Sequence, residues 1–169
     1  MRKIYIVITL LFAFAYMGYC QSPPPPPQRT ATVSVTQMLN FGALTIQSGS
    51  SGGTATVDYN GVRTKSGSVV LLSMGPTTQQ AIYEFKLCPG RMVTLTYLPT
   101  VTLTGNKGGS LVLHLGDTSL GPSGTVFYSN QGCDDIQHIS QGGTIDVGAM
   151  SSNPAGTYTG SFVITFVQQ

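Results

Sequence analysis

A chain of 169 residues with 41% hydrophobic side chains is long enough for one domain core, and nothing within it reads as a linker to a second. Only 8% of residues are charged, well below the usual quarter or so, and eight Lys and Arg stand against six Asp and Glu. Such a balance provides no basic surface for phosphates and no acidic tail, so nucleic acid is not an expected partner.

In chain order, Arg2 and Lys3 precede an apolar run over residues 4–16, the charged and hydrophobic regions of a secretory signal. The run falls short of the roughly 20 apolar residues that span a bilayer, so no transmembrane helix is expected in the mature chain. Cleavage after Cys20 assigns residues 1–20 to the signal, and removal of Arg2 and Lys3 leaves six basic and six acidic residues. Cys20 also carries a lipoprotein reading, against which the bulk of Tyr19 before it counts. Residues 21–29 form a Pro-rich leader. Its run at 23–27 has no amide donors and a fixed φ, and predicts a stiff spacer of about 15 Å.

The remaining residues, 30–169, read as a single β domain. Apolar positions recur at period two or in short β-branched runs bounded by Gly, Asn, Ser and Pro. Strands are predicted at 30–36, 41–46, 54–59, 68–74, 80–87, 92–103, 111–115, 125–129, 144–147 and 158–167, with Pro99 bending or interrupting the longest. Some ten short strands with no helical period predict an all-β, two-sheet antiparallel sandwich or a barrel. Asn60-Gly61 predicts a type I′ hairpin turn, residues 106–109 a second turn, and the glycine pairs 52–53 and 142–143 bends.

Two strands show their faces plainly. Tyr158, Gly160, Phe162, Ile164 and Phe166 alternate with Thr159, Ser161, Val163 and Thr165, which predicts burial of the aromatic side and a bulge or bulky neighbour at Gly160. Ala81, Tyr83, Phe85 and Leu87 oppose Ile82, Glu84 and Lys86, so that strand is half exposed. Ala31, Val33 and Val35 likewise oppose Thr32, Ser34 and Thr36 directly after the proline run. A tethered strand of this kind either completes its own sheet or inserts into a neighbouring subunit by strand exchange. Pairing within its own chain is favoured, because no gap in the strand count demands a donor.

Cys88 and Cys133 remain after the signal, and an oxidising compartment predicts a disulfide between them. Two separately buried thiols are the alternative. A metal site of Cys88, Cys133 and His138 lacks both ligand-pair spacing and a fourth ligand, and Asp134-Asp135 lacks the calcium-loop pattern and reads as a solvated turn. No Gly-x-Ser-x-Gly occurs, His114 lies on a strand between Leu113 and Leu115, and adjacent Asp134 and Asp135 cannot share acid and base work across one bond. No catalytic residue and no cofactor is therefore expected.

The segments Leu39-Asn40-Phe41-Gly42, Gly53-Thr54 and Ala81-Ile82-Tyr83-Glu84-Phe85, then the glycine-flanked strand at 142–148 and the closing run at 156–166, follow an order that resembles the bacterial domain-of-unknown-function family 4402. That family is similar in pattern to fimbrial subunits of the common-pilus type. The resemblance implies an immunoglobulin-like sandwich and assembly by strand exchange with itself or related subunits. It implies no catalytic residue. The expected role is an exported structural or surface protein of the periplasm, outer surface or extracellular space; the alternative is a monomeric adhesin or carbohydrate-binding module, for which the absence of Trp is unfavourable.

Overall fold

A computed structural model describes residues 32–168; the signal, the leader and Ala31 lie outside the described residues. Among these, thirteen strands are found: β1 (Thr32–Gln37), β2 (Leu44–Ile46), β3 (Gly53–Val57), β4 (Arg63–Gly67), β5 (Val69–Leu71), β6 (Ala81–Lys86), β7 (Met92–Tyr97), β8 (Thr100–Gly105), β9 (Ser110–Thr118), β10 (Val126–Tyr128), β11 (Gln137–Val147), β12 (Tyr158–Thr159) and β13 (Ile164–Gln168). All pair antiparallel.

The largest sheet has eight strands. Its main path runs β1-β6-β11-β9-β8-β12, and β3 with β4 branches from the second half of β11. Two smaller sheets, β10-β7-β13 and β2-β5, complete the structure. The large sheet does not stay flat. β8 pairs with β9 and β12, while β7, which precedes it across Leu98-Pro99, pairs with β10 and β13. Three neighbouring runs of chain therefore leave the large sheet at the same level and continue in the small one, which curls the assembly into a half-barrel.

Two apolar clusters fill the concave side. One packs Ile46 and Val69 of the β2-β5 sheet onto Ala55, Leu103, Leu111, Leu113, Leu115, Ile145 and Val147. The other packs Val93 and Leu95 onto Ala81, Tyr83, Phe85 and Ile139. Leu39, Tyr97 and Phe162 touch both, so the clusters form one continuous interior. At the junction the wholly buried Gln141 accepts from Tyr83 Oη at 3.2 Å and donates through Nε2 to Gly116 O at 3.0 Å, an oxygen that also accepts from Tyr97 Oη at 3.0 Å. These bonds satisfy a carboxamide that would otherwise be costly to bury.

The expected all-β class is found, with more strands than the ten predicted. Pro99 splits the longest predicted strand, as expected, and residues 160–163 split the last, because both follow the bend between sheets. Gly160 lies against a bulky neighbour, with Leu103 Cδ2 only 2.7 Å from where its Cβ would stand. β4 was not anticipated: Arg-Thr-Lys-Ser-Gly has no apolar member and is held by its ladder to β3.

The Asn60-Gly61 turn is not type I′. That turn needs positive φ at both central residues, and no non-glycine residue among the described residues has one. Instead the Asp58 carboxylate accepts from the amides of Asn60 at 2.9 Å and Val62 at 2.7 Å, and Gly61 alone takes the left-handed conformation at φ 81°. Gly142-Gly143 is likewise no bend between strands. It lies inside β11, where the register against β9 shifts between Gln141 and Gly143. A Cβ at Gly142 would collide with Val57 O, so the bare backbone permits the close approach of β3.

Candidate functional site

Among the described residues, β1 closes one end of the large sheet and pairs only through β6, with Thr32 opposite Lys86, Val33 opposite Phe85, Ser34 opposite Glu84 and Val35 opposite Tyr83. Val33 and Val35 thus share a face with Phe85 and Tyr83, which are buried. Yet Val33 is 40% exposed and Val35 63%. The interior is uncovered along this margin. On the opposing side stands β13, itself the last strand of its sheet, whose Phe166 stacks on Phe85 with ring centroids 6.2 Å apart. Ile164 and Phe166 are only half-buried there.

The two ends of β1 are held differently. Beyond a bulge between Val35 and Gln37, the Gln37 side chain donates to Gln80 O at 2.7 Å, Gln79 Nε2 donates to Met38 O at 3.1 Å, and Asn40 pairs with Gln79. The Thr32 end rests on the ladder to β6. Just past it, Cys88 is joined to Cys133. The predicted disulfide is present, and it ties the β6–β7 connection to the segment entering β11.

The family model described as domain of unknown function (DUF4402) matches residues 32–167, from the first residue of β1 to within β13. The chain belongs to this family. No curated protein and no solved structure matches it. Since the DUF4402 match includes β1, the open edge is part of the domain itself.

Of the other polar side chains of this DUF4402 domain, His138 comes nearest to that edge, through Glu84, which stands opposite Ser34. His114 Nε2 meets Asp146 Oδ2 at 2.8 Å across β9 and β11, with both side chains about half exposed at 47% and 52%. His138 stands on β11 opposite Glu84, with 3.7 Å between Nδ1 and Oε1. Both are cross-strand surface pairs of the kind that contribute a fraction of a kcal/mol. Asp134 and Asp135 are exposed, and Asp135 Oδ2 accepts from Gly132 N at 2.8 Å, an ordinary turn contact.

Arg63 is a half-buried cation. Its guanidinium donates to Leu72 O at 3.2 Å and Ala43 O at 2.5 Å, and burial lowers its pKa. It clamps the β2-β5 flap to β4. Sequence reasoning missed this residue, which lies in the unpredicted strand. It also missed Gln141, although Ile139, Gln141, Gly143, Ile145 and Val147 alternate at period two and place the glutamine on a core face.

Proposed function

We propose that this DUF4402 protein is a non-enzymatic, exported structural subunit of the cell envelope or surface, pilin-like in its assembly, which joins copies of itself along β1. In this reading the domain is a variant of the immunoglobulin-like two-sheet sandwich with a curled principal sheet. The observation that carries it is the pairing of a free strand edge with uncovered, inward-facing Val33 and Val35. A free edge offers a row of unpaired amides and carbonyls, and burying two valines on association adds an apolar contribution to the backbone bonds. The signal-like amino terminus and the Cys88–Cys133 disulfide support export into an oxidising compartment.

The monomeric adhesin reading gains less support. Exposed Tyr59 and Tyr128 lie in the β3–β4 turn and in β10, on different sheets, and form no aromatic row for sugar stacking.

The test is the assembly state of the exported protein, viewed by electron microscopy of native envelopes and measured by light scattering after purification. Filaments or discrete oligomers are expected from the wild type. Val33→Asp, and separately deletion of residues 21–36, should leave monomers. Normal assembly by both variants would remove β1 as the joining element.

A further inference from the structure

The open edge strand is self-complementary. Thr32-Val33-Ser34-Val35-Thr36 reads the same in both directions, and all five residues are exposed. Among the described residues, no other strand at the end of a sheet has this property. β4 reads Arg-Thr-Lys-Ser-Gly and β13 Ile-Thr-Phe-Val-Gln, while β2, β5, β10 and β12 have three residues or fewer and no symmetry. Two copies of one strand set antiparallel about a two-fold axis pair each residue with its mirror position, so a symmetric sequence meets like with like. With the axis at Ser34, Val33 stands opposite Val35 of the second copy and Val35 opposite its Val33. Ser34 then faces Ser34, and Thr32 faces Thr36.

Both faces of the joined strands are satisfied by this pairing. On the inner face the valines of the two copies form one row, flanked on either side by Phe85 and Tyr83, and β-branched side chains directly opposite each other attract. On the outer face hydroxyl meets hydroxyl. The large sheet already joins its strands in this way: Thr54 and Ser66, partners across β3 and β4, bond at 2.8 Å, as do Thr56 and Thr144 across β3 and β11. The charges beside the edge do not oppose the pairing. Glu84 lies opposite Ser34, so the two Glu84 carboxylates stand three strand spacings apart, about 14 Å, which exceeds the screening length of about 8 Å at physiological salt. Lys86, opposite Thr32, looks toward the Ile82 end of the other β6.

The register is restricted as well. A slip of one residue sets Val33 against Ser34 and mixes the apolar face with the polar one. A slip that centres the pair on Val35 carries Gln37, beyond the bulge, opposite Val33, and one that centres it on Val33 leaves Val35 opposite no residue of β1. We infer that the partner of β1 is β1 of a second copy, antiparallel and centred on Ser34, in a closed two-fold dimer. This rests on the proposed joining of copies along β1 and adds the partner segment, its direction and the stoichiometry. Two-fold pairing consumes both edges at once, so a third copy cannot add there and a filament would grow from such dimers through a second contact.

Cysteine cross-linking of the purified exported protein tests it, with the Cys88–Cys133 bridge checked by peptide mass. Ser34→Cys copies should link to one another under mild oxidation, because residues directly opposite lie about 5 Å apart, within disulfide reach. Thr32→Cys copies should not link to one another, since the same register holds them about 14 Å apart. In mixtures of differently labelled wild-type protein, NMR cross-relaxation should connect the Val33 methyls of one copy to the Val35 methyls of the other, a readout that needs no variant. Thr32→Cys copies that link to one another would reveal a parallel or shifted pairing. Ser34→Cys copies that stay unlinked, in protein that assembles and that Val33→Asp dissociates, would mean that β1 joins a different element of its neighbour. Either result overturns the inference and leaves joining along β1 standing, whereas assembly untouched by Val33→Asp and by deletion of residues 21–36 removes both.

Discussion

Gln141 brings three parts of the chain to one point, because its carboxamide bonds Tyr83 on one side and the Gly116 carbonyl, shared with Tyr97, on the other. Burial raises the pKa of Tyr83 strongly, with the neighbouring Tyr97 adding to it, and burial likewise raises that of Tyr97, helped by Asp117. An unfolded tyrosine ionises near pH 10, so the folded state holds its phenolic protons where the unfolded state has lost them. Stability should thus be unaffected by these groups below about pH 10 and fall as pH rises beyond it. Denaturant midpoints at pH 8 and pH 11 should show the drop. Tyr83→Phe should lessen the drop while costing roughly 1–3 kcal/mol at pH 8, since it leaves the Gln141 oxygen without its phenol donor. A rise in stability between the two pH values would contradict the assignment.

Among the elements, β11 organises the sheet. Its first half pairs with β6 and its second with β3, while β9 runs along the other side, and the change of partner falls at Gln141 to Gly143. Gly142→Ala should therefore cost about 1–3 kcal/mol, read as a lower unfolding midpoint with an unchanged slope, because a Cβ there meets the β3 backbone and no side chain can rotate away. The sequence made some of these elements plain and hid others for physical reasons. Ala81, Tyr83, Phe85 and Leu87 are all buried, as their alternation predicted, since a strand with one wet face must alternate. The first half of β11 was hidden because Gln and Gly occupy its core positions, one satisfied by hydrogen bonds and the other removed to admit a neighbour. In β1 the alternation correctly placed Val33 and Val35 on one face. Whether anything covers that face depends on the strands opposite, which no local pattern records.

At the scale of the molecule, the curl of the large sheet was the least legible feature, because it arises where three separate chain segments bend together, at Leu98-Pro99, 119–125 and 160–163, and only Pro99 announces itself. The Cys88–Cys133 pairing was legible from parity and compartment alone. It encloses a sequence separation of 45 residues, so reduction should lower stability by about 4 kcal/mol in the chain-entropy account. Urea titrations with and without reductant measure it; coincident curves would mean the bridge constrains little. The same bridge has a mechanical consequence. Thr32 lies opposite Lys86, two positions before Cys88, so a pull transmitted through the leader loads the first rung of the β1–β6 ladder and peels the strand pair by pair. Beyond β1 the chain runs through β2 to β6 before it reaches Cys88, and a load that arrives there crosses through sulfur to Cys133. The intervening residues, some 150 Å of contour at about 3.4 Å each, stay slack under the load. An anchored molecule would yield a short length of β1 while β7, β8, β9 and β10 remained shielded from the force.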